Sequence, residues 1–267
     1  MSFSIEGKTA IVTGAANGVG LAIARHFVDQ GANVMFADMD EARLSHECGE
    51  IVEEEGNIRY FAGDLRERLT LANLLSATID AFDRIDILVN GSRQVLPSDP
   101  LDLDDTTLEE LVLQNVTNTF RLSQMVAKRM IKQSADKEKG QAGAIVNLSS
   151  IAARRTQPEL LGFSVAMAAL DQLTRSLAVS LAEHRIRVNS VALGSVMSAS
   201  LKQALKDHDG YREEIEENTP LSRIASPAEL AQAVQFLSSE GAGFITGQIM
   251  TIDGGRTLLD PANAPAH

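Results

Sequence analysis

Apolar and polar positions along the chain follow two alternating kinds of pattern. Residues 8–13 form a short run rich in β-branched side chains, which predicts a buried parallel strand. Apolar residues then recur at helical spacing from Leu21 through Ala24 and Phe27 to Val28, before the segment ends at Gly31. The chain is therefore expected to begin with a strand, a glycine-containing turn and a helix.

The same alternation continues along the rest of the chain. Further strands are predicted at residues 33–37, 57–62, 85–89, 144–148, 186–191 and 248–252, and helices at 41–54, up to Phe82, from about Thr106, around Phe163 and at 227–238. Because βαβ crossovers are right-handed, this order predicts an α/β fold: a single-domain, Rossmann-type doubly wound parallel sheet of about seven strands with helices on both faces. We predict that this domain covers residues 1–256, that residues 134–143 form a surface turn, and that residues 257–267 form a C-terminal tail.

The charge, cysteine content and hydropathy of the chain argue against several classes of binding partner and location. The formal net charge of -12 argues against a nucleic-acid partner, which would need clustered Lys and Arg. The single cysteine, Cys48, excludes an intrachain disulfide framework and fits a reducing compartment. No apolar run approaches the length of a membrane span, and the first residues do not resemble a signal peptide. We therefore expect a cytoplasmic protein with no membrane partner, and we predict no metal site.

A glycine-rich turn follows the first predicted strand and opens the first helix. The spacing G-x-x-x-G-x-G would give a tight turn at Gly14, close approach of a diphosphate at Gly18 and close helix packing at Gly20. The phosphates would meet free N–H groups at the helix N-terminus. The candidate residues are Gly14, Asn17, Gly18, Val19 and Gly20; the alternative is a glycine-rich connector that binds no ligand.

Asp38 ends the second predicted strand, at the position where a dinucleotide-binding fold recognises the adenosine ribose. A carboxylate there would accept hydrogen bonds from both ribose hydroxyls and repel a 2′-phosphate. This predicts NAD(H) rather than NADP(H) as the cofactor. The alternative interpretation is a turn residue before Met39.

These motifs resemble those of the short-chain dehydrogenase/reductase family, and the resemblance covers nearly the whole chain. The run from Arg187 to Gly194 is similar to the family pattern R-V-N-x-x-x-P-G, with Leu193 in place of proline, and the segment from Gly247 to Gly255 is strongly typical. The resemblance implies that Asp64 and Leu65 contact adenine and that the neutral Asn17 favours NAD. It also places Asn90, Gly194, Val196 and Ser198 at the cofactor.

The resemblance also implies a catalytic centre, and here the sequence departs from the family. Asn115 matches an asparagine that positions a water, and Ser150 matches the serine that hydrogen-bonds the substrate carbonyl. Phe163 and Met167, however, stand where the family has its catalytic tyrosine and lysine. Neither side chain can transfer the proton that carbonyl reduction requires, and such assistance is typically worth about 10²–10⁴-fold in rate.

No neighbouring residue restores the missing pair. No tyrosine or lysine occurs between Gly140 and Leu201, and Tyr211 could reach the pocket only if the segment that carries it closed over the substrate. The alternative is that Tyr211 is a surface residue on a charged helix. Arg93 also replaces the glycine that, in the family, passes close to the nicotinamide ribose.

Arg93, Arg154 and Arg155 suggest a second kind of ligand. Three arginines around one cavity could bind an anion by bidentate contacts. The alternative is that they are solvated or pair with acidic neighbours. A small carbonyl compound or an anion is therefore expected beside the dinucleotide.

Three functional hypotheses follow. The first is an NAD(H)-binding protein that is catalytically impaired or inactive, a pseudoenzyme acting as a cofactor sensor or as a non-catalytic subunit beside an active relative. The second is an oxidoreductase in which Ser150, Tyr211 or water handles the proton. The third is a structural module with an empty cleft. Because the helix around Phe163 is apolar on more than one face, and family members commonly form tetramers through this helix, we predict a homo-oligomer, specifically a tetramer.

Overall fold

The computed structural model describes residues 3–49, 56–136 and 139–260 of the chain. Its strands form one parallel sheet of seven strands in the order β3-β2-β1-β4-β5-β6-β7. They are β1 Thr9–Thr13, β2 Asn33–Asp38, β3 Ile58–Ala62, β4 Ile87–Asn90, β5 Gly143–Ser150, β6 Ile186–Leu193 and β7 Ile249–Ile252. The doubly wound α/β fold predicted from the sequence is confirmed.

Helices cover both faces of this sheet. They are α1 Gly18–Asp29, α2 Glu41–Cys48, α3 Arg68–Phe82, α4 Thr107–Val112, a π-helical turn Leu113–Thr117, α5 Asn118–Gln133, α6 Leu161–Leu181, α7 Ala199–Asp207, α8 Tyr211–Glu217 and α9 Pro227–Ser238. Successive strand residues alternate between the two faces. Val12 packs in the apolar layer that contains α1 and α9, whereas Ile11 packs in the layer that contains α3, α5 and α6.

Several predicted boundaries differ from those observed. The helix expected from about Thr106 is interrupted by the π-helical turn, because the chain takes one extra residue per turn there before α5 begins. The predicted helix 41–54 is observed as Glu41–Cys48, and residues 50–54 lie outside the described residues. Gly143, predicted in a surface turn, instead begins β5.

The predicted tail is described only in part. A short 3₁₀ turn, Arg256–Leu258, crosses the expected boundary at residue 257, and residues 261–267 lie outside the described residues. Within the part of the chain that the structure describes, no helix has both the length and the apolar character needed to span a bilayer.

Candidate functional site

A cavity of about 490 Å³ opens at the carboxyl ends of β1, β2, β3 and β4. This is the place where strand order reverses in a doubly wound sheet, and where such folds bind ligands. The volume lies within the usual range of small-molecule sites. The residues that line it are Gly14, Asn17, Gly18, Val19, Gly20, Asp38, Met39, Gly63, Asp64, Leu65, Arg66, Gly91, Ser92, Arg93, Gln94, Val95, Gln114, Leu148 and Ser198.

The glycine turn forms the floor of this cavity. Gly14 has φ +70°, and a Cβ there would lie 2.7 Å from the carbonyl oxygen of Gly91. A Cβ on Gly20 would overlap the carbonyl oxygen of Gly14, so both positions exclude a side chain. Helix α1 begins at Gly18, and the preceding Asn17 makes no side-chain capping bond. The N-terminus of α1 therefore opens on the cavity, with its first N–H groups uncapped by Asn17.

Asp38 stands at the end of β2 and faces the same cavity. Its Oδ2 accepts the N–H of Ala16 at 3.0 Å, and its Oδ1 accepts the N–H groups of Met39 at 2.7 Å and Asp40 at 3.2 Å. These bonds fix the orientation of the carboxylate. Because an ionised carboxylate offers about four acceptor positions, capacity remains for a hydroxyl of a ligand.

Asp64 and Arg66 form the wall of the cavity beyond β3. The guanidinium of Arg66 contacts both carboxylate oxygens of Asp64, with Nη2 to Oδ2 at 2.6 Å and Nε to Oδ1 at 2.9 Å. These hydrogen bonds from Arg66 lower the pKa of Asp64. Asp64 is therefore ionised at neutral pH, and the planar guanidinium lies at the edge of the cavity beside Leu65.

The segment after β4 forms the opposite wall. Thr13 Oγ1 accepts the N–H groups of Gly91 at 3.0 Å and Ser92 at 3.1 Å, and Gln114 Nε2 donates to Ser92 Oγ at 3.2 Å. These bonds tie the segment to β1 and to the π-helical turn. The path of the chain here is fixed by contacts with two distant parts of the sequence.

Arg93 projects from this segment into the cavity. It is exposed to solvent, and among the residues that the structure describes it has neither a hydrogen-bond acceptor nor a carboxylate within ion-pair distance. Partial desolvation of its guanidinium lowers its pKa. A charged donor group thus faces the cavity without a partner from the chain.

Asn115, which the family resemblance associates with positioning a water, forms hydrogen bonds with the wall of the cavity. It lies in the π-helical turn and is only 1% exposed. Its Oδ1 accepts the N–H of Gln94 at 2.9 Å, and its Nδ2 donates to the carbonyl oxygen of Gln94 at 3.0 Å. The amide therefore holds the main chain of the cavity wall, and it does not line the cavity.

Phe163 and Met167 are both buried on α6, at 4% and 0% exposure. They pack in an apolar cluster with Leu111, Ala152, Ala166 and Leu170, against which Leu96, Val112 and Leu160 also pack. Neither lines the cavity. Phe163 and Met167, which stand by resemblance at the positions of the family's proton-transfer groups, are thus part of a hydrophobic core.

The remaining candidates for proton transfer lie away from the cavity. Ser150 Oγ accepts the N–H of Ala152 at 3.1 Å and begins the short turn after β5. Tyr211 begins α8, where its ring stacks on that of His208 with centroids 4.5 Å apart. Neither lines the cavity.

Three residues that the resemblance places at the cofactor lie outside the cavity. Asn90 is buried in the sheet and donates to Ser123 Oγ and Asn147 Oδ1. A Cβ on Gly194 would lie 2.8 Å from the Cα of Asp253, so this glycine allows close packing of the C-terminal segment. Val196 forms a bridge with Ala225. These contacts describe how all three residues pack within the fold.

The predicted anion site of three arginines is wrong in its arrangement. Arg154 Nη1 donates to Thr251 Oγ1 at 3.0 Å, and Arg155 donates to the carbonyl oxygens of Thr257 and Leu259. Both side chains are therefore directed to β7 and the segment after it. Only Arg93 of the three lines the cavity.

Several cavity residues were missed by the sequence analysis. They are Met39, Gly63, Arg66, Gly91, Ser92, Gln94, Val95, Gln114 and Leu148. Most follow directly on a strand, so the position after each strand end was the signal that could have found them. Gln114 and Leu148 have no such signal, because they reach the cavity through the packing of the π-helical turn and β5.

Comparisons with known proteins agree with this geometry. A family model described as enoyl-(acyl carrier protein) reductase matches residues 14–257. The 7α-hydroxysteroid dehydrogenase of Escherichia coli strain K12 is 32% identical over 251 residues, which cover 94% of each chain. A solved 7α-hydroxysteroid dehydrogenase, complexed with NADH and 7-oxo glycochenodeoxycholic acid, has 31% identity and a TM-score of 0.86 over 95% of this chain and 96% of the other. A short-chain type dehydrogenase/reductase from Mycobacterium marinum has 27% identity and a TM-score of 0.83 over 97% and 98%.

Proposed function

The chain belongs to the short-chain dehydrogenase/reductase family, and we propose that it binds NAD(H) but has lost most or all ordinary turnover of carbonyl and alcohol substrates. In this role it would either sense the cofactor or act as a non-catalytic subunit beside an active relative. The single observation that carries the proposal is the contrast between an intact nucleotide cleft and the apolar pair Phe163 and Met167.

The cleft fits the adenosine and diphosphate part of the cofactor. Gly14 and Gly20 leave the turn free of side chains, and the uncapped N-terminus of α1 offers N–H groups to a diphosphate. Asp38, held by three main-chain N–H groups, keeps acceptor capacity for the ribose hydroxyls. The same carboxylate would repel a 2′-phosphate, which supports a preference for NAD(H) over NADP(H).

The reacting part of the family site has lost its chemistry. Bound NAD(H) would supply or accept a hydride, but a carbonyl that receives hydride also needs a proton from a positioned group. Phe163 has no hydroxyl, and the thioether of Met167 carries no charge that could lower the pKa of a neighbouring acid. Both side chains are buried among other apolar residues, so neither position presents a group that can donate a proton.

The second candidate function is an oxidoreductase with unconventional proton transfer. Its support is that the chain matches nearly the full length of relatives that are named as dehydrogenases. In this candidate, the hydroxyl of Ser150, which accepts one bond and can still donate its own proton, or Tyr211 or water would protonate the product.

We also propose that the chain forms a homo-oligomer, with a tetramer as the expected form. Helices α5 and α6 carry exposed apolar side chains, among them Phe120, Val165 and Val179. Large exposed apolar surface on adjacent helices is typical of an interface. Light scattering at micromolar concentration would test this, and a monomeric mass would reject it.

Calorimetric titration with NADH and NADPH, combined with an assay of NADH oxidation over a panel of ketones, tests the proposed function. We expect saturable binding of NADH, much weaker binding of NADPH and no oxidation above the rate without protein. Rapid NADH oxidation with any ketone would instead establish the second candidate. Absence of binding by folded protein would leave only a structural module.

A further inference from the structure

Arg93 is the one feature of the cavity that neither the family resemblance nor the proposed function uses. It lines the same cavity as Gly18 at the start of α1 and Ser198 at the start of α7. The described part of the chain supplies no acceptor for its guanidinium. Arg66, the other arginine of the cavity, pairs with Asp64 through its Nε and Nη2. Arg93 is therefore the cationic group in the cavity that remains available to a ligand.

The surroundings of Arg93 favour an anionic partner. Partial desolvation lowers the pKa of Arg93, but arginine stays protonated at neutral pH because its ordinary pKa lies far above 7. A desolvated charge is stabilised best by an opposite charge with matched hydrogen-bond geometry. An unesterified phosphate carries more negative charge than a phosphodiester and offers two oxygens to the guanidinium fork.

The second nucleoside of NAD(H) finds less support in this cavity. Of the residues that the family resemblance places around the nicotinamide half, Ser198 lines the cavity, but Ser150, Phe163, Gly194 and Val196 do not. Arg93 itself stands where the family has a glycine close to the nicotinamide ribose. Ribose hydroxyls would not neutralise the guanidinium, and the positive nicotinamide ring of NAD⁺ would be repelled by it.

We propose that the cleft is selective for an adenosine 5′-diphosphate with an unesterified terminal phosphate, which Arg93 binds, over the full dinucleotide. This inference rests on the proposed function for the adenosine end, where Asp38 lines the cavity and would contact the ribose. At the other end of the ligand, an unesterified phosphate takes the place of the nicotinamide nucleoside. The diphosphate lies over the N-terminus of α1, and its terminal phosphate reaches Arg93.

Calorimetric titration of the full chain with ADP, AMP and NADH tests the proposal. We expect ADP to bind about tenfold or more tightly than either NADH or AMP, since a charge-assisted bidentate contact is worth about 1.5–3 kcal/mol, or roughly 10–150-fold. Arg93→Gln keeps the length of the side chain and removes its charge. It should lower ADP affinity by about that factor and leave NADH affinity equal or higher.

Arg66→Gln is the matched control, because it removes the other arginine of the cavity at the adenosine end. It should change the affinities of ADP and NADH by the same factor, since both ligands carry the same adenosine. A thermal melt of each variant would establish that it is folded. Equal binding of ADP and NADH with no effect of Arg93→Gln would overturn the inference and leave the proposed function intact. If folded wild-type protein binds none of the three nucleotides, both fail.

Discussion

The side-chain amide of Asn115 forms two hydrogen bonds with the main chain of Gln94, one to its N–H at 2.9 Å and one to its carbonyl oxygen at 3.0 Å. As in a pair of neighbouring strands, one residue both donates and accepts a hydrogen bond. Here, however, the partner is a side-chain amide on a helix, and it holds the cavity wall. In the family, the matching asparagine serves a catalytic lysine. Here Met167 occupies that lysine position, and the amide of Asn115 is used to hold the segment that carries Arg93.

Asn115→Ala is expected to destabilise the protein. The substitution leaves the N–H and carbonyl of Gln94 without their partner, which costs about 1–3 kcal/mol when such groups are buried. Asn118 is the matched control, because it is buried three residues later and no partner for its side-chain amide exists among the described residues. Urea denaturation should show a clearly larger loss for Asn115→Ala than for Asn118→Ala. Equal losses would mean that the two bonds do not hold the wall.

Met167→Lys, combined with Phe163→Tyr, is not expected to restore carbonyl reduction. The new ammonium would be desolvated in an apolar cluster, at a cost of several kilocalories per mole. Asp171, buried four residues later on the same helix, would offset only part of that cost. Met167→Leu, which conserves volume, should cost less than about 1.5 kcal/mol. Denaturation midpoints and NADH oxidation over a ketone panel would measure both effects. Measurable ketone reduction by the double variant would show that only the proton-transfer pair is missing.

Asp38→Asn is expected to reduce nucleotide affinity and the preference for NADH. The substitution keeps the size of the side chain and one acceptor oxygen but removes the charge that hydrogen-bonds ribose and repels a 2′-phosphate. A lost charged hydrogen bond corresponds to about 1.5–3 kcal/mol, or roughly 10–150-fold in affinity. Calorimetric titration should show NADH binding weakened while NADPH binding changes little or improves. An unchanged ratio of the two affinities would remove Asp38 from cofactor selection.

Asp171→Asn is expected to change how stability depends on pH. Asp171 is 4% exposed on α6, and its Oδ1 makes no hydrogen bond among the described residues. Desolvation raises its pKa above 3.8, and this outweighs the lowering effects of the nearby Ser149 hydroxyl and of Arg154 and Arg175. Among the described residues the Ser149 hydroxyl makes no hydrogen bond of normal geometry, so burial is the dominant effect on the pKa of Asp171.

The sign of the effect follows from the proton count. Between the unfolded and folded pKa values the folded state binds more protons, so Asp171 lowers stability as the pH rises through that window. Asp171→Asn should therefore be relatively more stable at neutral pH. Its advantage should shrink as the pH falls through the raised folded pKa, and should be lost by about pH 4, near the unfolded pKa. Asp80→Asn, at an exposed position of α3, is the control. Urea midpoints measured across this pH range would test the prediction; a pH-independent difference between wild type and Asp171→Asn would contradict it.

The amino-acid sequence determined the architecture and the apolar character of Phe163 and Met167. Strand and helix periodicities are local properties, and right-handed crossovers leave few ways to arrange them, so the sheet and the glycine turn could be predicted. The identity of Phe163 and Met167 is equally independent of the fold, because no arrangement gives a phenyl ring or a thioether an exchangeable proton.

The tertiary structure decided which side chains share the cavity. Arg93, Arg154 and Arg155 all follow strand ends, yet only Arg93 reaches the cavity, because the other two contact β7 and the segment after it. Likewise, Asn90 ends β4 but is directed into the core by Ser123 and Asn147. The direction of a side chain beyond a strand depends on packing with segments that are distant in the sequence, and no local pattern contains that information.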